Sequence, residues 1–242
     1  QPPFLPAHAD AILERIVGET PGAKRFVLAK TREGRPVHGI QLGGGSAEQP
    51  APLGVWVQAR QHAWEAGASW VSRGFIEWSA SADPAAVELR RLATLYVIPL
   101  MDVDNVILGA GGKEAVPRDH NRDWDDQPVY PEVAAAQQRI GDLDAQGRLH
   151  VFIDLHNPGP GEPRPYFYGP LDLEQMPAPQ QHSHARLLAL AAECIRDPLP
   201  LDANRFSVSI HLCLAGSHSV VYHCIERNSS FPCRLGGRCP DP

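Results

Sequence analysis

Three short apolar runs constrain this chain more than any other feature. They are LGVWVQA (53–59), TLYVIPLM (94–101) and LHVFIDL (149–155). Each is nearly continuous in apolar residues, the pattern of a strand covered on both faces. Helical patterns lie between them. Residues 65–79 carry Val71, Phe75 and Trp78 at i, i+4 and i+7, PAAVELRRL (84–92) reads as a second, shorter helix, and Pro131–Ile140 reads as a third. Buried strands separated by helices predict an α/β fold. The expectation is a single domain with a mixed, mostly parallel central sheet flanked by helices on both faces.

The flanks complete this outline. Residues 4–17 place Leu5, Ile12, Ile16 and Val17 near helical spacing, so a first helix belongs there. Residues 24–43 read as a hairpin turning at Glu33-Gly34. Late in the chain, residues 183–196 form an Ala/Leu-rich helix and HSVVYHCIE (218–226) a last strand, with His182 and His184 read as solvated loop residues. Proline and glycine cluster at 157–165, 177–200 and 231–242, which predicts long loops. A length of 242 residues suits one α/β domain over 1–242, with 1–23 a helical lead-in and 227–242 an irregular tail.

Composition excludes some function classes. A net charge of -6 argues against a nucleic-acid partner, because neutralising phosphates needs a basic excess. Apolar runs such as Leu95–Met101 fall far short of the ~20 residues that span a bilayer, so no membrane partner is expected. No targeting segment is visible, which points to the cytoplasm. The five cysteines, Cys194, Cys213, Cys224, Cys233 and Cys239, all fall in the last fifth of the chain, and the residues leave a local Cys233–Cys239 pair and free thiols both open.

In sheets of this kind ligands sit beyond the carboxyl ends of the strands, and the chemically rich residues here follow strand ends. His62 and Glu65 form an H-x-x-E pair just after the first apolar run, and His156 directly follows the third. A catalytic zinc takes three such ligands and keeps a fourth position open. Residues three apart share one side of a helical turn, so His62 and Glu65 can chelate one ion and His156 can close the set. Asp154, two residues before His156, can hold the ring nitrogen that does not face a metal.

Two further groups have two readings each. Glu226 ends the last apolar strand, where it either serves as a general base or pairs with Arg227 or Arg60. The segment PRDHNRDW (117–124) supplies Asn121 and Arg122, an amide and a planar guanidinium suited to a substrate carboxylate. The same segment, rich in Asp, also reads as a loop of salt bridges.

Taken in order, these pieces resemble the zinc metallocarboxypeptidases of the carboxypeptidase A type, closest to the cytosolic-carboxypeptidase-like branch and its bacterial relatives. The resemblance rests on His62–Glu65, PLMDVDNV (99–106), DHNRDW (119–124), DLH (154–156) and Glu226, and spans residues 24–226. It implies a zinc carboxypeptidase-like fold and hydrolysis of the last peptide bond of a peptide or protein tail. It implies one zinc ion on His62, Glu65 and His156, a carboxylate grip by Asn121 and Arg122, and Glu226 as the base acting on the water that zinc activates. An arginine that polarises the scissile carbonyl in that branch falls on Gly112 here, and Lys113 and Arg118 are the cations that could replace it. The alternatives are a zinc-dependent N-acyl-amino-acid amidohydrolase of the aspartoacylase or succinylglutamate desuccinylase kind, and an inactive binding module that keeps the fold.

Overall fold

The computed structural model describes residues 3–46, 50–157, 167 and 176–195. The elements run α1 (Pro6–Glu19), β1 (Lys24–Lys30), β2 (Pro36–Gly43), β3 (Leu53–Ala59), α2 (Ala66–Ala80), α3 (Pro84–Leu92), β4 (Ala93–Ile98) and α4 (Val103–Leu108). A 3-10 turn (His120–Arg122), α5 (Pro131–Ala145), β5 (Val151–Leu155) and α6 (Ala178–Cys194) follow. The strand expected at 218–226, the tail at 227–242 and four of the five cysteines lie outside the described residues; Cys194 is an exposed free thiol.

The three apolar runs become β3, β4 and β5, the site-bearing part of a five-stranded mixed sheet ordered β1-β2-β4-β3-β5. β1 pairs with β2 and β2 with β4 antiparallel, whereas β3 pairs in parallel with both β4 and β5. β4 lies between β2 and β3, and all six of its residues are buried. The hairpin forms as its turn signal predicts, with Gly34 at φ 76, a left-handed conformation that glycine adopts without strain. Helices pack along the sheet: α1 on β1 and β2, α2 on β3 and β5, and α5 on β1. Arg139 of α5 lies 4.2 Å from the centre of the Phe26 ring and also covers Tyr96.

The α2 prediction gives the right helix from the wrong face. Its buried residues are Ala68, Ser69, Ser72, Ile76 and Ser79, while Val71 and Trp78 are exposed. Small side chains let the helix axis approach the sheet, and Ser69 Oγ donates to the Pro99 carbonyl at 2.8 Å. A second difference concerns α6, which starts at Ala178 and buries His184 instead of leaving it in a solvated loop. Neither α4 nor the 3-10 turn shows in the sequence, because neither is long enough to establish a period. Both are set by capping carboxylates: Asp102 accepts from the Asn105 amide, and Asp119 from the Asn121 amide at 2.7 Å.

β3 and β5 approach so closely at their start that only glycine fits. A Cβ on Gly54 would lie 1.8 Å from the Arg148 carbonyl oxygen. The Gly54 carbonyl accepts from the His150 amide at 2.8 Å, so the contact is part of the pairing. Gly54→Ala should therefore destabilise the fold by about 1–3 kcal/mol or more, through overpacking against backbone. Gly74, inside α2, has nothing within 4 Å of such a Cβ. Gly74→Ala should stabilise by about 0.5–1 kcal/mol, and denaturant unfolding of the two variants beside the parent reads both signs.

Candidate metal centre

The parallel register sets the site. Gln58 stands opposite Asp154 and Ala59 opposite Leu155, so β3 and β5 end side by side. Beyond β3 the chain turns at Arg60, which takes φ 67, a left-handed conformation that costs a residue with a side chain. The buried guanidinium fixes this turn: Nε donates to the Ala63 carbonyl at 2.7 Å, and NH1 reaches the Phe4 carbonyl and Ser69 Oγ. The Asp102 amide donates to the Arg60 carbonyl, tying the turn to the start of α4. Burial pulls the Arg60 pKa down, against the opposing fields of Glu65 and Asp102.

His62, Glu65 and His156 come together as the spacing predicts, each able to offer one ligand atom within 4.8 Å of the others. Glu65 lies between the two imidazoles, with Oε1 2.8 Å from His62 Nδ1 and Oε2 2.7 Å from His156 Nδ1. The opposite ring nitrogens each face a carboxylate. His62 Nε2 is 3.1 Å from Asp119 Oδ1, and His156 Nε2 is 3.5 Å from Asp154 Oδ2. Both Nδ1 atoms therefore point inward, oriented by partners on the outer side. Burial pushes the Glu65 carboxyl up, but the hydrogen bonds of His156 and His62 outweigh it and hold the pKa at about 2. Burial pulls His156 down, yet the charges and hydrogen bonds of Asp154 and Glu65 raise it to about 10. His62 is raised as well, with burial overcome by Asp119 and Glu65.

Two imidazoles and one carboxylate make the donor set of a three-ligand catalytic zinc. The carboxylates behind each ring supply the support that such ligands take. On donor chemistry the residues fit zinc.

The other predicted site residues surround this centre unevenly. Asn121, buried, and Arg122, half-buried, sit in the 3-10 turn next to Asp119, which touches His62. Arg118 is engaged by Asp123 and Asp125. Lys113 is exposed, its Nζ 5.7 Å from the centre of the Trp64 ring beside the ligand turn. Gly112 explains its own lack of a side chain. Its φ is 98, and a Cβ there would lie 2.7 Å from the Ala63 amide nitrogen and 3.0 Å from Asp102 Oδ2. The Trp64 amide donates to the Gly111 carbonyl at 3.0 Å, so this loop lies directly on the backbone between His62 and Glu65. Glu226 lies outside the described residues. The buried partners Gln58, Gln61, His120 and Glu132 carry no motif spacing, and of the four only Gln58 stands out in the sequence, as a polar residue inside an apolar run.

The fold is that of the zinc carboxypeptidases. The family model for zinc carboxypeptidases matches residues 10–157, and the chain belongs to that family. It is similar to Cytosolic carboxypeptidase 2 of Danio rerio, 30% identical over 138 residues that make up 55% of this chain and 19% of that protein. The chain thus spans about a fifth of the length of that curated relative. Among solved structures it resembles a metallo-carboxypeptidase from Burkholderia cenocepacia, with a TM-score of 0.69, 24% identity and coverage of 82% of this chain and 52% of that one. It also resembles the carboxypeptidase A from Helicoverpa armigera, with a TM-score of 0.64, 16% identity and coverage of 82% and 56%. These structural likenesses speak for the fold. No helix among the described residues is long and apolar enough to cross a membrane.

The Arg60 turn generates a prediction. Arg60→Met removes the donors that hold the Ala63 carbonyl and leaves buried acceptors unsatisfied. It should cost about 1–3 kcal/mol, read as a lower denaturant midpoint at unchanged slope.

Proposed function

We propose that this protein is a zinc-dependent metallocarboxypeptidase that removes the last residue of a peptide or protein tail. The observation that carries the reading is the convergence of His62, Glu65 and His156 beyond the ends of β3 and β5, with a carboxylate behind each imidazole. Membership of the zinc carboxypeptidase family supports it. One zinc ion would be held by His62, Glu65 and His156. Bound there, it supplies a Lewis acid that polarises the scissile carbonyl and lowers the pKa of water into the neutral range.

The chain's own residues do the rest. Arg122 presents a planar fork of donors to the terminal carboxylate of the substrate, and the Asn121 amide adds a neutral donor. Asp119 joins the two regions, because it accepts from the backbone N–H of Asn121 and faces His62 Nε2. The terminal carboxylate is thereby placed a fixed distance from the reacting carbonyl, which selects the last peptide bond. Glu226 takes the proton from the attacking water and passes it to the leaving amine. Lys113 and Arg118 are the candidates for a positive group near the carbonyl oxygen, and of the two Lys113 is free of a carboxylate partner among the described ion pairs. The cytoplasm is the proposed compartment, supported by the likeness to a cytosolic carboxypeptidase.

The test is a panel of peptides with acidic, basic and hydrophobic ends, incubated with zinc-loaded protein and followed by mass spectrometry. Loss of a single terminal residue, abolished by chelator and by C-terminal amidation, is the expected result. No cleavage in any peptide overturns the reading. Glu226→Gln should bind zinc as the parent does and lose turnover by at least ~100-fold.

Zinc affinity should also depend steeply on pH. The pKa of each imidazole is raised above its ordinary value, so protons compete with the metal for these ligands. Because the folded-state pKa values are raised, binding weakens as pH falls, by about tenfold per pH unit for each proton displaced. Chelator competition across pH 6–8, at roughly one-unit steps, reads the slope; a flat profile contradicts this ligand set.

A further inference from the structure

Behind the metal centre lies a row of buried polar side chains that the reaction does not use. Gln58, Gln61 and His120 are fully buried, and Asp154 and Glu132 are 1% exposed. Gln61 Nε2 donates to Asp154 Oδ2 at 3.2 Å, and Gln61 Oε1 is 2.5 Å from His120 Nδ1. On the other side of the ring, His120 Nε2 is 3.1 Å from Glu132 Oε1. The Tyr130 ring packs against His120 with centroids 4.8 Å apart.

The direction of these hydrogen bonds is fixed from outside. The Trp56 indole N–H can only donate, and it donates to Gln58 Oε1 at 2.9 Å. Gln58 Nε2 must then face Asp154 Oδ2, at 3.1 Å, so that oxygen is an acceptor. Gln61 must offer it an N–H as well, which turns the Gln61 carbonyl toward His120. His120 therefore carries a proton on Nδ1. A reversed Gln61 would set carbonyl oxygen against carboxylate.

We propose that Gln61 is a positioning residue that couples the metal centre to the turn gripping the substrate carboxylate. The inference rests on the proposed metal and carboxylate roles of His156 and of Asn121 and Arg122. His120 stands between Asp119 and Asn121, so the turn is tied to the ligands twice. One tie is direct, from Asp119 to His62. The other runs from His120 through Gln61 and Asp154 to His156. Gln61 is also the neighbour of His62 in the chain, so its amide fixes the ligand turn and the gripping turn in one frame. A purely space-filling side chain at 61 would leave Asp154 and His120 each short of a partner inside the protein.

The experiment is a double-mutant cycle read by zinc affinity and by peptide KM. Gln61→Met keeps the length and removes both hydrogen bonds; it should weaken zinc by about tenfold to a hundredfold and raise KM. His120→Asn touches no ligand, yet should also weaken zinc. The double variant should bind zinc no more weakly than Gln61→Met alone, because His120 acts through Gln61. Gln61→Glu, nearly the same size, should not restore affinity, since it lacks the donor to Asp154. Long-range 1H–15N spectra of the parent should show His120 protonated at Nδ1, which decides the question if Gln61→Met fails to fold. An Nε2–H-only His120, an unchanged zinc affinity in Gln61→Met, or fully additive losses each overturn the coupling while leaving the carboxypeptidase reading intact. A parent protein that takes up no zinc overturns the metal reading, and the coupling with it.

Discussion

The site depends on the parallel pairing of β3 with β5. Parallel neighbours begin and end at the same edges of a sheet, so residues just past their ends share one space although they are far apart in sequence. His62 and His156 are related in this way, with ring centroids 5.0 Å apart. An antiparallel partner in the position of β5 would carry its last residue to the opposite edge. Gly54 makes the pairing close enough, because the backbone before β5 occupies the place of any side chain there.

Holding titratable groups at such an edge is costly unless each has a partner. Here every candidate ligand has one on its outer side or at its centre. Glu65 is shared by both imidazoles, Asp119 faces one ring and Asp154 the other. Asp154 is in turn held by two glutamine amides from β3 and the residues just after it. Paired buried networks of this kind fix positions more sharply than apolar packing does, because a lost partner leaves its neighbour unsatisfied. Arg60 belongs to the same economy of strain: its left-handed backbone is kept in place by guanidinium hydrogen bonds to groups from several segments.

Much of the fold is legible in the chain. Strands β3, β4 and β5 are visible because residues buried on both faces leave continuous apolar runs. The hairpin is visible because its turn needs a glycine. The H-x-x-E pair and His156 are visible because a metal demands few residue types at short spacing. Other features are not. The apolar residues that mark α2 as a helix are partly solvent-facing, since close packing on the sheet favours alanine and serine on its inner side. The role of Gly112 is hidden because nothing in a glycine codon announces that the backbone of a ligand turn lies 2.7 Å from where its Cβ would be.

The sequence by itself determined the class of fold and marked out the candidate donor set, since burial pattern and ligand chemistry are properties of local residue type. Tertiary structure alone decided that Asp119 stands behind His62 and that Gln61 and His120 meet, whereas the place of Asp154 behind His156 was already legible in their two-residue spacing. The physical reason is that these contacts join residues 57 and 59 positions apart in the chain. Their partners are chosen by sheet register and turn geometry, to which a residue's own type makes no reference.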